Sequence, residues 1–356
     1  MTNVIRNDWR RDGAVERAAI LSRDTSPEGL DVERLRFASA AELSLDPGSA
    51  HVVGVMRGRA VFDAASTGPL AIGPGSHLFV PIGAAATLRA EAGFEAAHVW
   101  GPRARGTRVL LRDEAFVRAC AHGDQSLRWV LTPQYLSRRI FLHHDPGLVS
   151  ARDNPVSWFH TTMFDVVGLP PNDDGEPVFK MAYTSRTEFN VCYDVSGSAR
   201  VRLAPLAAAG GWADWAAVDG ETTYHLNEVP EADGRTRNKH EVSALGGHVT
   251  LFCAFDPAPT GIERHRPGEY SDYEPYDVVA ARAEFHEHKQ RIGPFDEMVD
   301  TLSLAKARGE LDALEGQPVW RRYLEGRDAQ RRIEAALIAS TSPERARVIA
   351  SWATGD

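Results

Sequence analysis

Cysteine is scarce in this chain. Cys120, Cys192 and Cys253 are odd in number and far apart, which excludes a disulfide framework or a thiolate zinc site and points to a reduced, cytoplasmic protein. Long apolar runs are missing too: no stretch reaches the roughly 18 uncharged residues of a membrane span. An excess of basic charge is also lacking, with 40 Lys+Arg against 49 Asp+Glu and a formal net charge of −9. Nucleic acid and anionic membranes are therefore not expected partners, because counterion release needs a basic face. The opening MTNVIRNDWRRDG has no apolar stretch behind its charges, so no secretory leader is expected. There is no Gly-x-Ser-x-Gly elbow, and Gly73-Pro74-Gly75 lacks the strand-to-helix setting of a phosphate loop. What is present is ordinary globular composition: 356 residues, 43% apolar and 25% charged, enough for two or three domains.

Residues 51–63 and 70–90 alternate or run apolar between Gly and Pro turns, the pattern of an antiparallel sandwich or barrel rather than a parallel α/β sheet. Residues 112–140 have helical stretches broken at Pro133 and read as a connector. Strand-like text resumes at 155 and continues to about 255, with candidates PVSWFHTTMF, PVFKMAYTS, EFNVCYDV, SARVRLAP, TTYHLNEV, KHEVSALG and HVTLFCAFD. That density of short strands suits a small barrel. After Pro275 the spacing turns helical, with Leu302, Leu304, Leu311, Leu314, Trp320, Tyr323 and Leu324 as apolar positions among Arg and Glu.

The two β-rich regions share a plan. Val53–Met56, Gly58 and Ala60–Phe62 correspond to Val191–Val195, Gly197 and Ala199–Leu203, and each set is followed by a turn and a strand, GPGSHLFVPIG and RNKHEVSALGGHVTLF. This resembles the cupin superfamily over roughly residues 45–100 and 155–256. The resemblance implies a mainly β chain of two cupin-like jelly-roll barrels with a helical C-terminal tail. The expected boundaries are 1–111 for an N-terminal arm and a degenerate barrel, 112–150 for the connector, 151–268 for a metal-binding barrel and 269–356 for the tail. The family's ligand positions are altered here. His51 and Asn190 stand where each motif has its glutamate, Thr184 and Arg186 where the second copy should have histidines, and Ala86 and His240 where the later histidine falls. Alanine cannot bind a metal, so the first barrel reads as a scaffold.

Chemistry is therefore sought in the second barrel. Tyr224-His225-Leu226-Asn227-Glu228 leads to Glu231, Gly234 and His240. Two neutral imidazoles and one carboxylate leave open positions on a divalent metal. In an extended segment His225 and Glu231 share a face; Pro230 allows a break in that parity, which keeps Glu228 as the alternative ligand. The stretch also resembles the iron-ligand segment of homogentisate dioxygenases, in which a Tyr-His pair is followed by Asn, Glu and Gly as Asn227, Glu231 and Gly234 are here. The resemblance implies Fe(II) on His225, Glu231 and His240 and an Fe(II) dioxygenase acting on a small aromatic or carboxylated substrate. A redox-neutral isomerase or lyase with Zn, Mn or Ni, or a metal-free small-molecule-binding bicupin, fits the same text. His160 is a candidate proton shuttle, though a core histidine bonded to a carbonyl has the same pattern. Arg186 is a candidate anchor for a substrate carboxylate. The aromatic and leucine stripe of the tail suits a homodimer or the chain's own barrels.

Overall fold

In a computed structural model, the structure describes residues 4–24, 29, 31–102, 108–117, 127–131, 135–141, 160–168, 179–184, 187–205, 214–226, 237–245, 247–256 and 297–353. The chain opens with β1 (Val4–Arg6) and continues through β2 (Trp9–Asp12), β3 (Val15–Leu21), β4 (Asp31–Phe37), β5 (Ala41–Leu45) and β6 (Ala50–Arg57). Next come β7 (Ala60–Ala64), β8 (Gly68–Ile72), β9 (Ser76–Val80), β10 (Ala86–Ala90), β11 (Glu95–Gly101) and β12 (Leu110–Asp113). After the single turn α1 (Glu114–Val117) follow β13 (Leu127–Leu131), β14 (Tyr135–Phe141), β15 (His160–Gly168), β16 (Phe179–Thr184) and β17 (Thr187–Val195). The series ends with β18 (Ser198–Pro205), β19 (Ala216–Ala217), β20 (Thr222–Leu226), β21 (Arg237–Leu245) and β22 (His248–Asp256).

Two sheets in the order β12-β9-β6-β11-β4-β3-β2 and β5-β10-β7-β8 make the first barrel. The second repeats that order strand for strand, as β1-β20-β17-β22-β15-β14-β13 and β16-β21-β18-β19. All the pairings are antiparallel, for example β6 with β9 and β17 with β20. The fold is thus two cupin-type jelly rolls in one chain. One position breaks the repetition. β12 closes the first barrel from within its own sequence, whereas the equivalent edge of the second is taken by β1, with Val4 opposite Tyr224. The turn glycines also repeat: Gly58 and Gly197 both have positive φ (72° and 71°). A Cβ on Gly58 would lie 2.6 Å from the Phe94 Cα, so only glycine fits there.

Expectation and structure differ over the connector. Residues 127–131 and 135–141 are strands, paired with each other and into the second barrel through β14 and β15. Pro133 lies between them, where it separates two strands rather than two helices.

Three cores hold the two barrels. One fills the first barrel, with Val53, Val55, Phe62, Leu70, Leu78, Leu88 and Phe94 among its members. A second fills part of the other barrel, around Cys192, Val201, Tyr224, Val242 and Leu251. The third lies between the two large sheets, where Val52, Met56, Phe79 and Val99 meet Phe189, Val191, Tyr193 and Phe252. Strand alternation makes this possible, because successive residues of β6 and β17 serve opposite faces. A helix over residues 297–308 (α2) adds Met298, Val299 and Leu302 to the shared core. It is pinned to β12 by Arg112–Asp300 (3.0 Å) and Lys306–Asp113 (2.6 Å). α3 (Pro318–Ala339) and α4 (Pro343–Ala353) complete the helical tail, with Trp320 and Tyr323 packed on that core. Among the described residues, no helix is long and apolar enough to cross a membrane.

Candidate functional site

The register of the repeats locates the sequence candidates. Ala60 pairs with nothing polar in the first barrel but with Ala90 of β10; its equivalent Ala199 pairs with Ala244 of β21. Counting along both strands brings Ala86 and His240 to the same position. By the same reasoning His51, opposite Val80, corresponds to Asn190, opposite Tyr224. His240 stands in the small sheet between Leu203 and Met181. His225 stands in the large sheet opposite Phe189, one residue beyond the core residue Tyr224. The two histidines thus come from different sheets of one barrel. His160 opens β15 opposite Phe255. Arg186, Glu228 and Glu231 lie outside the described residues.

The dense cluster of titratable groups lies instead in the first barrel, on β4, β6 and β11. Glu33, His51 and His98 are each 5% exposed or less. His98 pairs in register with Glu33 on one side and Val53 on the other, which places all three groups on the inner face that Val53 and Leu35 share. They form a line. Arg17 Nη1 donates to Glu33 Oε1 at 2.6 Å, and His98 Nδ1 lies 3.0 Å from the same oxygen. His98 Nε2 is 3.0 Å from His51 Nδ1, and His51 Nε2 is 2.8 Å from the Asp46 carbonyl oxygen. The Trp100 indole stacks on His98, with ring centroids 4.4 Å apart and planes 17° apart. Burial and the facing His98 ring push His51 down to about 4, so the pair does not take up two protons near neutral pH. The Asp46 carboxylate is held below its ordinary range by the Gly48 N–H it accepts.

The fold resemblance implies a metal, and the first barrel does not fit one. The two facing nitrogens belong to rings only 10° from coplanar, with centroids 5.2 Å apart; at a nitrogen separation of 3.0 Å the rings lie edge to edge and their lone pairs point straight at each other. An ion needs about 2.1 Å to each imidazole nitrogen, more than a head-on gap of that size provides. Glu33 is engaged on the far side of His98. Among the described residues, no three His, Cys, Asp or Glu side chains are placed to hold a metal ion. A cleft of about 520 Å³ between β7–β8 and α2 carries Arg59, Arg89 and Lys306 at its lining, but Arg89 already meets Asp63 and Lys306 meets Asp113.

Two other buried groups are defined by their surroundings. Cys192 is fully buried and its thiol is pushed up to about 12 by desolvation, an inert core residue. His77, buried between the barrels and stacked on Phe252 (centroids 5.3 Å apart), is pushed down to about 3 by burial from an ordinary 6.5. The unfolded chain therefore binds a proton there that the folded chain refuses. Stability from this group is full above about pH 6.5 and falls as pH drops toward 3, by about 1.4 kcal/mol per pH unit. Urea unfolding at a series of acid pH values is expected to show that slope, with His51 adding to it, and His77→Gln is expected to flatten it by one proton.

No family model matches the chain, and no curated protein sequence does. Solved structures do. A variant of oxalate decarboxylase from B. subtilis is 13% identical with a TM-score of 0.48, over 79% of this chain and 83% of that one. Vicilin from Corylus avellana (hazelnut) is 12% identical with a TM-score of 0.48, over 82% and 96%. A putative glyoxylate-induced protein from Pseudomonas aeruginosa is 15% identical with a TM-score of 0.45, over 70% and 83%. The assignment of the fold rests on the repeated strand order described above.

Proposed function

We propose that this protein is a small-molecule-binding bicupin in which the first barrel is structural and the second takes a carboxylated ligand without a metal. The observation that carries the reading is the register equivalence of the two barrels. Of the four positions at which the resemblance expects metal ligands, the register gives the second barrel His240 and Asn190 at two, and the sequence motif gives it Thr184 and Arg186 at the others. A guanidinium repels a cation and pairs with a carboxylate through two parallel hydrogen bonds. Asn190 is fully buried, and an amide both donates to and accepts from an acid. The interior of the first barrel is filled by the apolar core around Phe62 and Phe94.

The test is ligand-observed NMR of the full chain against a panel of small aromatic and aliphatic mono- and dicarboxylic acids. At least one acid is expected to bind, and Arg186→Met is expected to weaken it more than tenfold, from the loss of about 2 kcal/mol of charge-assisted hydrogen bonding. Binding of the neutral amide as tightly as the acid contradicts the reading.

The second reading is the metal enzyme, favoured by one observation: His225 and His240 stand in different sheets of the same barrel. In that case those two side chains with Glu231, or Glu228 in its place, would hold an ion such as Fe(II), Zn, Mn or Ni. The ion supplies Lewis acidity and a template for the substrate. Arg186 would then orient the substrate carboxylate, and His160 would move a proton.

A further inference from the structure

The line of contacts through His98 and His51 has more hydrogen bonds than two neutral imidazoles have protons. Glu33 is a carboxylate that already accepts Arg17 at 2.6 Å, so His98 Nδ1 must bear a proton to meet it at 3.0 Å. The Asp46 carbonyl only accepts, so His51 Nε2 must bear one to meet it at 2.8 Å. In neutral rings those two protons are all there are. His51 Nδ1 and His98 Nε2 would then oppose two bare lone pairs at 3.0 Å. We propose that a third proton is trapped between them, so that His51 and His98 form one buried, proton-bridged cation at the place in the first barrel where the fold resemblance expects a metal ligand.

Three further observations agree. The rings are near coplanar and edge to edge, the alignment of a linear N–H···N bond. The Trp100 ring stacks on His98, which suits a cation against a π face. The second barrel also shows that the fold does not require these groups. Following the register, its equivalents of His51, His98, Glu33 and Trp100 are Asn190, Leu251, Phe164 and Cys253. Among the described residues, the charged groups around the pair are few. β4 brings Glu33 and β3 brings Arg17; the turn before β6 brings Asp46, which feels Arg23 in turn. β9 faces His51 with Val80, and the small sheet adds Leu45, Phe62, Ala86 and Leu88 to the same core. The bridged proton ties β4, β11 and β6 to the Asp46–Ser49 turn, and its loss breaks one link of that chain. The first barrel is in this way a pH-responsive element independent of any ligand in the second.

The experiment has two parts, both on the full chain. Nitrogen-15 NMR of histidine-labelled protein at neutral pH is expected to count three ring protons on His51 and His98 together, the signals being identified by His98→Gln. Two ring protons overturn the proposal. Urea unfolding as a function of pH supplies a count that needs no variant. Above the ordinary histidine value of about 6.5 the folded pair keeps a proton that the unfolded chain releases, so stability falls as pH rises. The unfolding constant is expected to increase about tenfold per pH unit until the pair itself deprotonates. Glu33→Gln keeps the acceptor for His98 but removes the counter-charge, and is expected to abolish that rise. A flat wild-type profile overturns the proposal, as does a rise that persists in both His98→Gln and Glu33→Gln. Should those variants fail to fold, the wild-type unfolding profile decides alone.

Discussion

Replacing Arg34 by alanine is expected to cost about 3–5 kcal/mol of folding stability, the range for breaking a buried ion pair from one side. Arg34 is, with Arg112, among the largest fully buried side chains of the described residues, at 0% exposure. It leaves β4 of the first barrel, pairs with Glu95 through Nε, and donates from Nη1 to the backbone carbonyls of Cys192 (3.1 Å) and Gly220 in the second. Burial lowers its pKa while Glu95 raises it, so the group depends on its partner to stay charged at little cost. Without it, Glu95 remains 2% exposed, with Arg57 at 3.6 Å and Arg36 at 3.7 Å as its remaining cations. Two carbonyls lose a donor as well. Lysine is not expected to rescue the loss, because a single ammonium cannot reproduce a planar fork aimed at three acceptors. The double variant Arg34→Met, Glu95→Leu is expected to recover most of it, since an apolar pair removes both charges together. Urea midpoints at neutral pH check this order; an Arg34→Ala variant within 1 kcal/mol of wild type, roughly the scale of an exposed pair, would contradict it.

The second large effect is at Gly54. Its φ is unexceptional; what the position lacks is space. A Cβ there would lie 1.9 Å from Phe252 Cε2, and Phe252 is itself 1% exposed and stacked against His77. The ring belongs to the second barrel and the glycine to the first, so alanine at 54 forces the two large sheets apart. A cost of at least the 1–3 kcal/mol typical of overpacking is expected. Phe252→Ala alone is expected to cost about 3–5 kcal/mol through the cavity it leaves. Together the two changes are expected to fall short of their sum by about 1–3 kcal/mol, because the new methyl enters the vacated space. A double-mutant cycle by urea unfolding measures that difference, and strict additivity would show that the contact carries no energy.

Much of the architecture was legible in the residues because its signals are local. Gly58 and Gly197 mark the same left-handed turn in each copy, and the alternating runs around them gave the repeat. Among the strands missing from that reading is β4, whose text is DVERLRF. Four charges in seven residues suggest a solvated segment, yet Glu33 and Arg34 are buried. One turns inward to His98 and the other outward to the second barrel, and charge satisfied by a distant partner leaves no periodic trace. The same blindness hid the histidine pair. His51 stands out as the occupant of a glutamate position, but its partner His98 sits on β11, 47 residues away, inside an alanine-rich run with no motif of its own. Residues 127–141 failed for the opposite reason: Leu, Arg and Trp there satisfy helical spacing as well as β alternation, and only pairing with β15 decides between them. For the candidate site of the second barrel, identity was readable and placement was not, since the register with the first barrel supplies the equivalence of His240 with Ala86 and of Asn190 with His51.

The most direct test of the account is elemental analysis of the full chain purified without a histidine tag and never exposed to chelator. If the second barrel holds its ligand through Arg186, His240 and Asn190, no transition metal accompanies the protein in stoichiometric amount, and acid binding is unchanged when chelator is then added. About one ion per chain, lost in His225→Ala and in His240→Ala, would contradict that account and support a metal site on those two histidines in its place.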